Sequence, residues 1–121
     1  MIYYVATPYT KFSEGIWPAY KEAARVTGGL LARGINVFSP IAHSHPLAVY
    51  GGIDPLDHQF WMNADQPYMD MCGALIVVTM PGWDKSKGVA TEIFEFGKRD
   101  KPIFYCDPVT LRLSDAPVVT P

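Results

Sequence analysis

Apolar residues in this chain fall into short continuous runs and into longer stretches with helical periodicity, and the two kinds of segment alternate. The short runs predict four buried strands, at Ile2–Ala6, Ile35–Phe38, Ala74–Thr79 and Pro102–Cys106. The periodic stretches predict three helices, over Gly15–Ala32, from Asp54 to about Cys72, and over Lys87–Arg99. Strands that alternate with helices form parallel sheets with right-handed crossovers. The predicted fold is therefore α/β, a small Rossmann-like (flavodoxin-like) three-layer sandwich with a four- to five-stranded, mainly parallel sheet.

Proline and glycine residues mark where the predicted elements are interrupted. The stretch Ser39–Ile53 has no clear period and is expected to be an irregular loop. Asp54 and Pro55 suit the N-cap and the first position of the helix that follows. Pro67 is expected to break or kink that helix. At the end of the chain, residues 114–121 are expected to form a loose tail.

Composition narrows the class of protein. The chain has 121 residues, of which 49% are hydrophobic and 18% charged, so residues 1–121 are expected to form one domain with a proper core. A net charge of −2 argues against a nucleic acid polymer as partner. The apolar runs are far shorter than the ~20 residues of a membrane helix. With no basic flank typical of a signal peptide and only two cysteines, the expected location is the cytoplasm.

In a parallel α/β sheet, ligands bind outside the carboxyl ends of the strands, where the strand order reverses. Three predicted loops lie at that edge, namely Thr7–Ser13, Ser39–Ile53 and Met80–Gly88. These loops contain most of the unusual polar residues of the chain. The predicted fold and the residue types therefore indicate the same region for function.

The third loop leads into the last helix through Ser86, Lys87 and Gly88. Unpaired backbone N–H groups and the helix dipole favour an anion there, so Ser86 and Gly88 are candidate phosphate contacts. Alternatively, Ser86 is only the N-cap of the helix. About one turn further, Glu92 is expected to stay ionised beside the helix N-terminus, which suits a nucleophile. The alternative is a solvated helix glutamate, and Glu95 competes for the same role.

Two further carboxylates, Asp65 and Asp70, precede the third strand near the same edge. Either of them beside Glu92 would complete the pair of acid and nucleophile that cleaves glycosidic bonds. Each could instead be a helix cap or a surface charge. Tyr4 lies in the middle of a buried strand, where its hydroxyl needs a partner. That partner is either core backbone or a carboxylate that Tyr4 orients.

His43 and His45 form a His-x-His pair, which is a common beginning of a metal site. The other candidate ligands, Asp54, Asp57 and His58, lie at no recognisable spacing from this pair. The two histidines are therefore expected to form hydrogen bonds rather than to coordinate a metal. Neither a metal nor another cofactor is predicted.

Several short segments together resemble one superfamily, that of the nucleoside 2-deoxyribosyltransferases and the 2'-deoxynucleoside 5'-monophosphate N-hydrolases. These segments are Tyr4-Val-Ala-Thr-Pro-Tyr9, Ala19-Tyr-Lys-Glu-Ala23, Ser86-Lys-Gly-Val-Ala-Thr-Glu92 and Lys101-Pro102. The resemblance spans nearly the whole chain, from Tyr4 to Phe104, and is strongest to a branch of short bacterial and phage proteins.

The resemblance implies a role for each matching residue. Glu92 would be the catalytic nucleophile, and Tyr4 would hold its carboxylate. Asp65 would act in proton transfer or in sugar binding. Ser86 would contact a 5'-phosphate.

Two segments depart from the superfamily pattern. Thr7, Pro8 and Tyr9 stand where the hydrolases have a glycine-rich phosphate loop, and they are candidate substrate-binding residues. The segment that contains His43 and His45 has no clear counterpart, and its position suggests recognition of the base. These departures concern the identity of the substrate more than the chemistry.

The resemblance implies cleavage of the N-glycosidic bond of a nucleoside or nucleoside 5'-monophosphate, in a hydrolase or a deoxyribosyltransferase. One alternative is a non-catalytic nucleotide-binding or sensing module that uses the same pocket. A second alternative is a metal-dependent hydrolase built around His43 and His45. The expected partners are a small-molecule nucleoside or nucleotide and further copies of the chain in a homo-oligomer, with no membrane.

Overall fold

The computed structural model describes residues 1–117, which form a five-stranded sheet with helices on both faces. The strands are β1 (Tyr3–Ala6), β2 (Val37–Phe38), β3 (Ala74–Val78), β4 (Ile103–Cys106) and β5 (Leu113–Ser114). Their order across the sheet is β2-β1-β3-β4-β5. The first four strands are parallel, and β5 pairs antiparallel with β4. The predicted Rossmann-like α/β fold is confirmed.

Four α-helices cover the sheet: α1 (Ile16–Ala32), α2 (Pro40–Gly51), α3 (His58–Met71) and α4 (Lys87–Lys98). A short 3-10 helix, Trp83–Lys85, precedes α4. Alternate side chains of the central strands enter two cores, because successive residues of a strand point to opposite faces. Val5 and Ile76 pack towards α1, whereas Tyr4 and Leu75 pack towards α3 and α4. All five residues of β3 are buried, as expected for a strand covered on both faces.

The strand order fixes the place where a ligand can approach. The chain leaves β1 to form β2 on one side, and it leaves β3 to form β4 on the other side. The connections therefore diverge between β1 and β3, and their carboxyl ends border a crevice. This is the topological switch point at which open α/β sheets bind ligands.

The segment Ser39–Ile53 is not an irregular loop, as its sequence predicts, but mostly the helix α2. The Ser39 side chain caps this helix by accepting a hydrogen bond from the backbone of Ala42 at 3.1 Å. Pro40 occupies the first turn, where a missing N–H costs nothing, and Gly52 ends the helix with φ at 73°. The apolar residues of α2 itself are spread over nearly all sides of the helix. Its sequence therefore lacks the one-sided stripe by which helices are recognised.

The helix α3 ends at Met71, close to its predicted end, but differs from its predicted form at its beginning and at Pro67. It begins at His58, with Asp57 rather than Asp54 as the N-cap, and Asp57 accepts from the backbone of Phe60 at 3.2 Å. It also continues through Pro67 without a break. Pro67 lies on the exposed side of the helix, where water can satisfy the carbonyl that loses its N–H partner.

The predicted loose tail, residues 114–121, is described only in part. Ser114 belongs to β5 and is therefore ordered by pairing with Tyr105, while residues 118–121 lie outside the described residues. Among residues 1–117, no helix is both long and apolar enough to cross a membrane.

Candidate functional site

A cavity of about 180 Å³ opens at the carboxyl ends of β1 and β3. Its walls are the loop after β1, the helices α2 and α3, and the beginning of α4. Part of the lining is polar and includes Thr7, Asp65, Ser86 and Glu92. Much of the remainder is apolar and comprises Pro40, Ile41, Ala48, Pro55, Leu56, Trp61 and Met62. A ligand with both apolar and polar groups would match this lining.

Two carboxyl groups from neighbouring helices meet at this cavity. Asp65 projects from α3 and is 7% exposed, and Glu92 projects from α4 and is 5% exposed. Both helices cover the same face of the sheet, which brings together residues that are 27 positions apart in the sequence. No lysine or arginine forms an ion pair with either carboxyl group within residues 1–117.

Burial determines the protonation of this pair. It raises the pKa of Glu92 to about 8, and the nearby charge of Asp65 adds to that increase. Burial also raises the pKa of Asp65, to about 6. At neutral pH the two groups therefore hold about one proton between them, with the larger share on Glu92.

The expectation that the helix N-terminus keeps Glu92 ionised is wrong. Glu92 is the sixth residue of α4, and the effect of the helix dipole fades beyond the first turn. Its carboxyl group is also withdrawn from water. Desolvation therefore outweighs the dipole and favours the protonated form.

Tyr4 stands beneath the carboxyl pair. Its ring is fully buried between Phe38 and Phe96, with ring centroids 5.9 Å and 5.3 Å away. Its hydroxyl is close enough to lower the pKa of both Asp65 and Glu92, yet it forms no well-aligned hydrogen bond within residues 1–117. Burial and the two carboxyl groups raise the pKa of Tyr4, so the hydroxyl keeps its proton and can donate it to either carboxylate.

The beginning of α4 supplies the next part of the site. Ser86 is the N-cap of α4, and its Oγ accepts from the backbone of Val89 at 3.2 Å. Its hydroxyl proton remains available to a ligand. The backbone N–H groups of Lys87 and Gly88 make no hydrogen bond within the described residues, and both residues line the cavity. An anionic group at this position would find donors without displacing any.

The loop after β1 contributes Thr7 and Tyr9 but not Pro8. Thr7 is 4% exposed, and its hydroxyl has no hydrogen-bond partner in the described part of the chain. Tyr9 lines the cavity, and its hydroxyl lies 2.6 Å from Nδ1 of His45. Pro8 is buried outside the cavity lining.

His45 lies in an aromatic cluster beside the cavity. Its ring stacks on Tyr20 with centroids 4.4 Å apart and meets Trp17 edge-on at 4.5 Å. Burial lowers the pKa of His45, which favours the neutral ring. A neutral ring that accepts from Tyr9 at Nδ1 holds its proton at Nε2.

The structure does not bring His43 to the cavity. Because the segment is helical, residues two positions apart point in nearly opposite directions. His43 is exposed and packs between Phe38 and Tyr68, away from His45. In residues 1–117, no three histidine, cysteine, aspartate or glutamate side chains gather in a way that could hold a metal ion.

Asp70 and Glu95 also lie outside the cavity. The side chain of Asp70 is 68% exposed and pairs with Arg99 at 2.9 Å. It follows Asp65 by five residues, which turns it well away from the cavity-facing side of the helix. Glu95 pairs with Lys98 and accepts from Gln66, and these contacts lower its pKa. Of the competing carboxylates, only Asp65 and Glu92 line the site.

Sequence reasoning did not predict one wall of the cavity, although it considered His58 as a metal ligand. His58, Trp61 and Met62 line it together with Asp65. Their spacing of three or four residues is that of one helix face, so the signal is present in the sequence. The stripe is recognised only when the residues three, four and seven positions before Asp65 are considered together with it.

The match to a known family covers this whole site. The family model that matches is described as a domain of unknown function (DUF1937), and the match extends over residues 1–107. Every residue that lines the cavity falls within that range. No curated protein matches the chain.

Proposed function

The chain belongs to the DUF1937 family, and we propose that it cleaves the N-glycosidic bond of a nucleoside or nucleoside 5'-monophosphate with Glu92 as the nucleophile. The observation that carries this proposal is the buried pair of Asp65 and Glu92 in a cavity with a largely apolar remainder. Glycosidic cleavage needs one protonated and one ionised carboxyl group, and this pair, with pKa values of about 6 for Asp65 and 8 for Glu92, holds about one proton at neutral pH.

The resemblance to the nucleoside 2-deoxyribosyltransferase superfamily gives independent support. It assigns chemistry to Tyr4, Asp65 and Glu92 from sequence segments far apart in the chain. Asp65 and Glu92 line the cavity and the Tyr4 hydroxyl lies close to both, whereas the competing Asp70 and Glu95 lie outside it. An inherited active site would produce such agreement between the sequence segments and the structure.

The reacting form has the proton on Asp65 and the negative charge on Glu92, so the proton that burial holds mainly on Glu92 in the free site must first pass to Asp65. The hydroxyl of Tyr4, which faces both groups, provides a route for this exchange. The Glu92 carboxylate attacks the anomeric carbon, and the bond from that carbon to the base nitrogen breaks. The base nitrogen keeps the bonding electrons and takes the proton from Asp65, which leaves a glycosyl ester on Glu92.

The second half of the reaction restores the enzyme. Asp65, now ionised, removes a proton from water in a hydrolase or from a second base in a transferase. That nucleophile attacks the anomeric carbon, and the ester bond to Glu92 breaks. In this arrangement the base lies against the apolar lining, and a 5'-phosphate lies at Ser86 and the free N–H groups of α4.

The test is base release from a panel of ribo- and deoxyribonucleosides and their monophosphates, with and without an added free base. We expect release by the wild type and a loss of about 10³-fold or more in Glu92→Gln. Glu95→Gln is the matched control, because Glu95 lies one turn further along α4 outside the cavity. Equal activity in Glu92→Gln and wild type, or no release from any substrate, would contradict the proposal.

The second candidate is a nucleotide-binding or sensing module. It is favoured by the protonated state of Glu92 and by the hydroxyls of Tyr4 and Thr7, which have no partner within residues 1–117 and suit hydrogen bonding without reaction. Calorimetric binding of a panel member without base release, retained in Glu92→Gln, would support this function over catalysis.

A further inference from the structure

The helix α3 has a second face that points away from the cavity. Phe60, Ala64, Pro67 and Met71 are all exposed, with Phe60 at 44% and Met71 at 57%. They follow one another at intervals of four, three and four residues, so they lie in one line along the helix. We call this line the α3 seam. Its spacing is that of helices that pair with another helix.

The surroundings of the α3 seam are unusual for a helix that faces water. Only two of the fourteen residues of α3, Asp65 and Met69, are buried in the chain. Asp70 is the one charged residue among the exposed positions of α3, and the first turns carry the neutral pair Gln59 and Asn63. A solvent-facing helix normally has charged residues on that side.

The order of residues in the α3 seam is palindromic. The large residues Phe60 and Met71 stand at its ends, and the compact residues Ala64 and Pro67 stand between them. These positions are symmetric about the helix midpoint. We propose that the α3 seam binds the same seam of a second copy of this chain, with the two helices antiparallel about a two-fold axis. Phe60 then faces Met71 of the other copy, and Ala64 faces Pro67, so that the helix axes approach closely at the centre.

Charge complementarity favours a second copy over another partner. Asp57 lies at the N-terminal end of α3 and forms no ion pair within the described residues. At the other end Asp70 is already paired with Arg99, while the Lys101 ammonium rests on the carbonyls of Met69, Asp70 and Cys72 at 2.7–2.9 Å and has no carboxylate partner in residues 1–117. Antiparallel pairing brings the acidic end of each copy to the basic end of the other and opposes the two helix dipoles.

A stable dimer needs more buried surface than the α3 seam alone provides. The seam spans eleven residue steps, or about 16 Å at 1.5 Å per residue, whereas a stable dimer buries about 800 Å² per partner. Leu56, two residues before α3, is 59% exposed and can supply more area. We therefore expect a dimer whose population depends on protein concentration.

A cysteine near the two-fold axis tests the geometry directly. In the proposed packing, the Cα atoms of Ala64 in the two copies lie about 6 Å apart, which is within the range for a disulfide. Under mild oxidation, Ala64→Cys should form a covalent dimer in good yield. The control is Gln59→Cys, which is also exposed but about 19 Å from its symmetry mate along the axis. Equal cross-linking of both variants, or none of Ala64→Cys, would overturn the proposal.

Light scattering provides the second measurement. The wild type should be dimeric at about 100 µM and dissociate on dilution, and Phe60→Glu should be monomeric at the same concentration because two buried carboxylates would replace an apolar contact. Circular dichroism of Phe60→Glu verifies that the variant is folded. A wild-type monomer at that concentration, or a dimer that is unaffected in Phe60→Glu, would refute pairing through the α3 seam.

Discussion

At the scale of single residues, the main feature of the site is the burial of two carboxyl groups, Asp65 and Glu92, away from water. Neither Asp65 nor Glu92 has a basic partner within residues 1–117, so burial raises the pKa of each, and only the Tyr4 hydroxyl opposes this effect. The Tyr4 hydroxyl is a neutral donor that favours the ionised form of each carboxyl group. It therefore keeps the two pKa values separate and near neutrality. In the proposed function, Tyr4 is therefore a positioning residue whose effect is electrostatic as well as steric.

Replacing Tyr4 with phenylalanine tests this role. Tyr4→Phe keeps the buried ring but removes the donor, so the pKa values of Asp65 and Glu92 should both rise further, by about 1. Titration of ¹³C-labelled side-chain carboxyl groups by NMR measures this without a substrate. Tyr3→Phe is the control, because Tyr3 packs beside Phe104 in the other core. Unchanged carboxyl titration in Tyr4→Phe would show that the hydroxyl does not act on the pair.

At the scale of secondary-structure elements, the strands are the part that the sequence predicts best. Each long apolar run became a strand within one or two residues of its predicted ends, because burial on both faces leaves a continuous apolar signal. The two-residue β5 is too short to give such a signal. The sequence also cannot separate His43 from His45 while their segment is interpreted as a loop, because only the helical rotation of α2 sends them apart.

The carboxylates illustrate the same limit. Sequence reasoning selected Asp65 and Glu92 but left Asp70 and Glu95 open, since all four lie near the same sheet edge. The choice depends on the rotation of α3 and α4 about their axes. That rotation is set by the packing of Met69 and Phe96 into the core, which a single helix pattern does not fix.

The loops that border the site are locked together at Gly82. This glycine has φ at 89°, and a Cβ atom there would collide with the backbone carbonyl of Lys11 in the loop after β1. Gly82→Ala should therefore destabilise the fold by roughly 2 kcal/mol or more, through positive φ and steric overlap. The control is Gly97→Ala in α4, which meets no atom within 4 Å and should stabilise the helix by up to about 1 kcal/mol. Urea denaturation measures both, and a neutral Gly82→Ala would show that the loops are not locked.

At the scale of the whole molecule, the carboxyl pair makes stability depend on pH. The pKa of Glu92 is about 8 in the folded chain and 4.5 in the unfolded chain, so the folded state binds this proton more tightly. Stability from Glu92 is complete below pH 4.5 and declines as pH rises, until it is fully lost above pH 8. The corresponding decline from Asp65 ends near pH 6, so the decline between pH 7 and 8.5 reports on Glu92.

Glu92→Gln should remove that decline, because an amide has no ionised form to bury. As pH rises towards the folded-state pKa of Glu92, the wild type should lose up to about 1.4 kcal/mol of stability relative to the variant for each increase of one pH unit. At pH 8.5 the variant should therefore be the more stable protein. Denaturant unfolding from pH 6 to 9 measures both slopes, and parallel curves would mean that Glu92 is not held protonated.

Two features of this comparison isolate the contribution of Glu92. Comparing the two proteins at each pH cancels other titrating groups, including His45, whose lowered pKa gives the opposite slope at lower pH. Glu95→Gln should keep the wild-type slope, because the pKa of Glu95 is lowered and its titration is complete well below pH 7. If only Glu92→Gln diverges from wild type above pH 7, the fold retains at this cavity a carboxyl group that costs it stability, as expected where a site is kept for chemistry rather than for folding.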